Sequence, residues 1–152
     1  MKGIFWNGRD VGKKGMYAYV NELIMDHSLD FLSFQETMKK TYADSFFRKI
    51  DPGGLFFWKW IPSVGKSRGI LCGVRQETLG VVGFKIGEYI RRFDLWDNVK
   101  KCKWSLSVVY GLAHDEFKNT FLAEISAICN VVDSPYYWGD FNILRHVGEK
   151  NK

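Results

Sequence analysis

Cysteine is scarce in this sequence, and each one stands alone. Cys72, Cys102 and Cys129 are far apart, with no Cys-x-x-Cys pair and no histidine pairing nearby. That pattern argues against a zinc site and a disulfide framework, so a reducing compartment and no disulfide partner are expected. The three cysteines read as small apolar core residues. Long apolar runs are also missing. After Lys2 only Ile4-Phe5-Trp6 precedes Asn7, far short of a signal peptide's apolar region, and no run approaches membrane-spanning length. The sequence reads as soluble and intracellular, not secreted and without a membrane partner. Repeats, low-complexity tracts and linkers are absent, so residues 1–152 read as one domain. The loop Ser63-Val64-Gly65-Lys66-Ser67-Arg68-Gly69 lacks the Gly-x-x-x-x-Gly-Lys-Ser/Thr order, which excludes a phosphate-binding P-loop.

What is present is apolar and aromatic. With 152 residues, 46% hydrophobic and 16% aromatic, the chain suits a single globular domain with a real core and no disordered or fibrous class. Lys and Arg number 22 against 17 Asp and Glu, for a formal charge of +5. The excess favours a polyanionic partner through counterion release, although a solvated basic surface explains it equally well.

The pattern alternates strands and helices. Tyr17, Val20, Leu23 and Ile24 recur at helical spacing and predict a helix over 15–27, between a strand at 4–6 and one at 30–35. A short helix is expected over 42–50, ended by Asp51-Pro52-Gly53-Gly54. Strands follow at 55–61 and 70–74, then a meander at 79–86, 89–95 and 104–110, rich in Val, Ile, Phe, Tyr and Trp. Phe117, Phe121, Leu122, Ile125 and Ile128 predict a helix over 115–131, and Pro135 ends it before the last strand. The fold class is α/β, with two sheets expected face to face and helices outside.

Several strands run from apolar residues into polar ones. Tyr136-Tyr137-Trp138 stops at Gly139 and then presents Asp140 and Asn142, two residues apart and therefore on one side of an extended segment. Phe31-Leu32-Ser33-Phe34 runs into Gln35-Glu36, and Ile4-Phe5-Trp6 into Asn7. Such tips, converging at one sheet edge, suit a hard cation and a phosphate. A carboxylate closing an apolar strand is costly if buried without a partner, although a surface carboxylate is the simpler reading of Glu36 alone. Asn at a strand end also makes ordinary turns.

In order and spacing, Trp6-Asn7, Gln35-Glu36-Thr37, Val109-Tyr110-Gly111 and Gly139-Asp140-Phe141-Asn142 resemble the motifs of the endonuclease/exonuclease/phosphatase superfamily. The sequence most resembles the apurinic-endonuclease-like domain of plant LINE-type retrotransposons. Asp30 to Thr37 is similar to that group's second motif, and Glu149-Lys150 to its usual continuation. The resemblance implies a two-sheet sandwich flanked by helices and a metal-dependent DNA endonuclease, nuclear in location. It implies Glu36 as the principal Mg²⁺ ligand, with Mn²⁺ a substitute, since magnesium takes one or two carboxylates and keeps several waters. By the same resemblance Asp140 orients or deprotonates the attacking water, Asn7 and Asn142 hydrogen-bond around phosphate and metal, and Tyr110 lies against the phosphate. A partly buried core tyrosine is the plain alternative for Tyr110.

The sequence also departs from the family. Where relatives often carry an Asp two residues after the first Asn, Arg9 stands, as it commonly does in the retroelement group. Ser67-Arg68-Gly69 replaces the group's Ser-Gly-Gly; a plain turn is the simpler reading, while Lys66, Ser67 and Arg68 are the candidate nucleic-acid contacts. Trp58 and Trp60 could stack on bases, but on one side of a strand they read as core. In the family the domain continues to a later Asp and a closing Ser-Asp-His motif. Here the sequence ends ten residues after Asn142, and none of His27, His114 and His146 has that context. The expectation is the front part of a nuclease with little activity alone. The rival expectations are a phosphomonoesterase of the same superfamily and a non-catalytic retroelement relic that binds nucleic acid weakly.

Overall fold

The computed structural model describes residues 1–9, 11–63, 69–110, 115–131 and 135–140, with the backbone alone for Tyr110, Asp115 and 135–140. Its elements in chain order are β1 (Gly3–Asn7), α1 (Met16–His27), β2 (Phe31–Thr37), α2 (Asp44–Ile50), β3 (Phe56–Ile61), β4 (Gly69–Arg75), β5 (Leu79–Ile86), β6 (Ile90–Asp97), β7 (Cys102–Tyr110), a 3₁₀ turn (Asp115–Phe117), α3 (Lys118–Val131) and β8 (Pro135–Asp140). They form two four-stranded sheets, β1-β2-β4-β3 and β5-β6-β7-β8. The chain separates into two compact units, Met1–Val81 with Trp96–Cys102, and Val82–Leu95 with Lys103–Lys152.

In the first unit, burial follows strand position. The central strands β2 and β4 are buried along nearly their whole length, whereas the edge strands β1 and β3 alternate or stay half-exposed. A strand covered on both faces has no polar side to show, hence the continuous Phe31-Leu32-Ser33-Phe34 and Ile70-Leu71-Cys72-Gly73-Val74 runs. β1 pairs with β2 in parallel, and α1 is the crossover between them. Val20 and Ile24 of α1 join Leu32, Phe34, Phe46, Ile50 and Leu71 in one core, with Trp58 and Trp60 packed against it. Fully burying a side chain of this size stabilises by about 1.5–3 kcal/mol. The two tryptophans are therefore core, ringed by Phe47 and Tyr42.

The turn after α2 is held by a buried carboxylate. Asp51 accepts hydrogen bonds from Leu55 N (2.9 Å), Phe56 N (3.0 Å) and Trp58 Nε1 (3.2 Å), which satisfies a group that would otherwise be costly in the interior. Asp30 works similarly at the start of β2, accepting from Lys2 N at 2.9 Å and Thr78 Oγ1 at 2.6 Å.

In the second unit, Ile90, Val109 and Phe121 make a small core with Ile125, Ile128 and Tyr89 around it. Glu124 of α3 accepts from the backbone N–H of Tyr89 (2.9 Å) and Ile90 (3.2 Å), tying the helix to the β5–β6 turn. Gly87 lies there because an added Cβ would collide with the Glu124 carboxylate.

Three expectations change. Cys72 is buried, but Cys102 and Cys129 are exposed, one beginning a strand after a tight turn and the other on the outer side of α3. Phe117 and Leu122 are also exposed. The 3₁₀ turn at 115–117 puts Phe117 out of phase, and the helical stripe narrows to Phe121, Ile125 and Ile128, spaced by four and three. Lastly, β2 extends to Thr37, so Glu36 lies within its last turn of pairing rather than beyond it.

Candidate active site

The last residue of β1 is Asn7, and its register partner on β2 is Gln35. Beyond Phe34 the β2–β4 ladder slips. Phe34 pairs with Leu71 and Thr37 with Gly69, so three steps on β2 answer two on β4. This is a β-bulge, a device that re-aims a side chain at a sheet end. At its centre Glu36 has φ of 56°, in the left-handed region that side chains rarely adopt. Holding a non-glycine residue there costs about 1–2 kcal/mol. The bulge lifts Glu36 out of the strand's alternation and brings it beside the end of β1.

Two groups meet it there. Asn7 Nδ2 donates to Glu36 Oε2 at 3.2 Å, and Arg9 Nε donates to the same oxygen at 2.8 Å. The loop that supplies Arg9 is itself fixed. Arg9 N donates to Asn7 Oδ1 at 3.2 Å, a side-chain turn typical of Asn, and Gly8 N hydrogen-bonds to Gln35 O. Gly8 has no room for a side chain, since a Cβ would lie 2.8 Å from Phe34 Cβ and 2.9 Å from Thr37 Cγ2. Gly69 is similarly confined, since a Cβ there would lie 2.5 Å from Thr37 Oγ1. With Arg9 58% and Glu36 25% exposed, the ion pair contributes no more than about 1 kcal/mol.

The second unit has a comparable pairing of strand ends. β7 and β8 run parallel, and their last residues, Tyr110 and Asp140, are register partners. Asn142 and the loop residues Lys66, Ser67 and Arg68 lie outside the described residues. The structure thus brings Asn7 to Glu36 and the backbone of Tyr110 to that of Asp140. Among the described residues no three His, Cys, Asp or Glu side chains gather as a metal cluster.

Sequence reading noted Arg9 only as a substitution and did not foresee its pairing with Glu36. Opposite charges at two strand tips expected to converge were the available signal. The roles of Gly8 and Gly69 leave no such trace, because what confines them is the bulge.

The arrangement of elements matches known structures. The chain superposes on an endonuclease/exonuclease/phosphatase family protein from Bacteroides thetaiotaomicron with a TM-score of 0.64 at 12% identity, over 95% of this chain and 65% of that one. It superposes on a mannosyl-6-phosphatase of the same organism with a TM-score of 0.65 at 11% identity, over 95% and 67%. On D. rerio TDP2 complexed with a single-strand DNA product the TM-score is 0.58 at 11% identity, over 98% and 63%. This is therefore an α/β fold of two sheets. It is the fold of the endonuclease/exonuclease/phosphatase proteins, and the chain spans about two thirds of the length of these structures. No protein-family model matches the sequence, and no curated protein matches it either. Among the described residues no helix is long and apolar enough to cross a membrane.

Proposed function

We propose that this chain carries part of the active site of a metal-dependent phosphodiesterase, a DNA endonuclease of the retrotransposon type. The observation that carries the reading is the Asn7–Glu36 hydrogen bond at the ends of β1 and β2, on residues that the motif resemblance had singled out. The register pairing of Tyr110 with Asp140 supports it. A DNA product bound to one structural neighbour, and the +5 charge of this chain, favour DNA as partner.

The donor set fits magnesium or manganese. Glu36 and the Asn7 amide offer hard oxygen ligands at a partly exposed strand end, where the ion can keep most of its water. When bound, such an ion supplies Lewis-acid polarisation of the phosphoryl group and neutralises developing charge. Asp140 would accept the proton of the attacking water and aim it in line with the departing 3′ oxygen. Tyr110 and Asn142 would donate to the non-bridging phosphate oxygens, where charge grows in the transition state. The basic loop at Lys66, Ser67 and Arg68 would contact the flanking phosphates.

Nicking of supercoiled plasmid in Mg²⁺ tests the reading. Nicking by these 152 residues alone is expected at background, because no Ser-Asp-His motif stands among them and a general acid–base group of that kind is worth on the order of 10² or more in rate. Appending the corresponding carboxy-terminal segment of a relative should restore nicking, and Asp140→Asn in that longer protein should abolish it. Robust nicking by the 152 residues, lost in Asp140→Asn, would keep the site and refute the dependence on that segment. The mannosyl-6-phosphatase neighbour favours a second reading, phosphomonoester hydrolysis. Phosphate release from sugar phosphates by the extended protein, with plasmid untouched, would select it.

A further inference from the structure

We infer that Arg9 acts as an internal counter-cation for Glu36 and competes with a divalent ion for its carboxylate. The inference rests on the metal-ligand reading of Glu36 and adds a residue that competes for the same oxygen. Arg9 Nε lies 2.8 Å from Glu36 Oε2, and Asn7 Nδ2 donates to that oxygen as well. A magnesium ion needs its oxygen ligand at about 2.0–2.1 Å and brings two positive charges. A guanidinium in hydrogen-bond contact with Oε2 opposes that binding, because the like charges would face each other across one carboxylate.

Arg9 is placed for exchange rather than for permanent structure. Its backbone is anchored, through Arg9 N to Asn7 Oδ1 and through Gly8 N to Gln35 O, so the start of the side chain stays at the strand end. Its side chain is 58% exposed and can swing to solvent without unpacking any core. The left-handed Glu36 backbone and the bulge hold the carboxylate at the rim whichever cation occupies it. Glu36 therefore keeps one orientation and exchanges partners. The released guanidinium then stands beside the same strand ends, where an anionic phosphate would arrive, and its fixed fork suits phosphate oxygens. Two consequences follow. Arg9 lowers the affinity for divalent ions, and ion loading frees a phosphate-binding group.

Mn²⁺ titrations followed by the paramagnetic resonance of the free ion, on the wild-type chain, Arg9→Gln, Glu36→Ala and the double variant, test this. Arg9→Gln is expected to bind Mn²⁺ two- to fivefold more tightly than wild type, the range of an exposed ion pair. Glu36→Ala should remove the binding, and the double variant should bind no better than Glu36→Ala. In ¹⁵N-labelled wild type, the Arg9 Nε–H resonance should move to its solvent-exchanging position as Mg²⁺ is added. Unchanged or weaker Mn²⁺ binding in Arg9→Gln, or an Arg9 resonance indifferent to Mg²⁺, overturns the competition while leaving Glu36 as ligand. Full binding in Glu36→Ala would instead refute the metal reading, and with it this inference.

Discussion

Glu36 combines two costs that ordinary surface carboxylates avoid. It holds a left-handed backbone, and it sits at a bulge that interrupts the β2–β4 ladder. Neither is needed to bury the core, which lies on Phe31, Leu32 and Phe34 of the same strand. Backbone strain of this kind persists where the surroundings over-determine it, and it clusters at functional sites. The strain can be measured by comparing two deletions of the same carboxylate. Glu36→Ala and Glu36→Gly both remove the Arg9 and Asn7 contacts, but only glycine relieves the positive φ. Glu36→Gly should therefore be the more stable by about 1 kcal/mol in chemical denaturation. Equal stability would mean that the bulge relaxes at no cost in the alanine variant. Arg9 shows why sequence alone underreads such a site. Its partner lies twenty-seven positions away, and only the pairing of β1 with β2 brings them together.

At the scale of elements, most strands were legible because their apolar runs are bounded by glycine, proline or charge. The bulge was not, since it depends on how Thr37 meets Gly69, where a Cβ on Gly69 would strike both Thr37 Oγ1 and Ile61 O. The 3₁₀ start of α3 was also hidden, because a short turn carries no periodicity of its own. The β2–β4 pairing makes a further prediction. Cys72 on β4 faces Ser33 on β2, with Sγ 3.4 Å from Oγ, and both side chains are buried. Burial pushes the Cys72 thiol from 9.0 up to about 12, partly offset by the Ser33 hydrogen bond. A folded value above the unfolded one means that the stabilisation is complete below about pH 9 and is lost as pH rises toward the folded value. Between about pH 9 and about pH 11, wild type should lose on the order of 1 kcal/mol per pH unit more than Cys72→Ala. Parallel losses in the two proteins would show that the thiol ionises as easily in the folded chain as in the unfolded one.

At the scale of the whole molecule, each compact unit pairs two strand ends of its own: Asn7 with Glu36 in one, and the backbone of Tyr110 with that of Asp140 in the other. Motif order and the apolar runs that end in them singled out these residues, whereas the pairings follow from β1 lying beside β2 and β7 beside β8. The central claim is that Glu36 binds a divalent ion at the end of β2. Replacing Mg²⁺ with Fe²⁺ and adding ascorbate and peroxide tests this directly, since hydroxyl radicals formed at the bound ion cut only the backbone around it. The expected cuts lie near residues 7–9 and 36, suppressed by excess Mg²⁺ and absent in Glu36→Ala. No cutting near residues 7–9 and 36, or the same cuts in Glu36→Ala, would contradict it and leave Glu36 an ion-pair partner of Arg9 rather than a metal ligand.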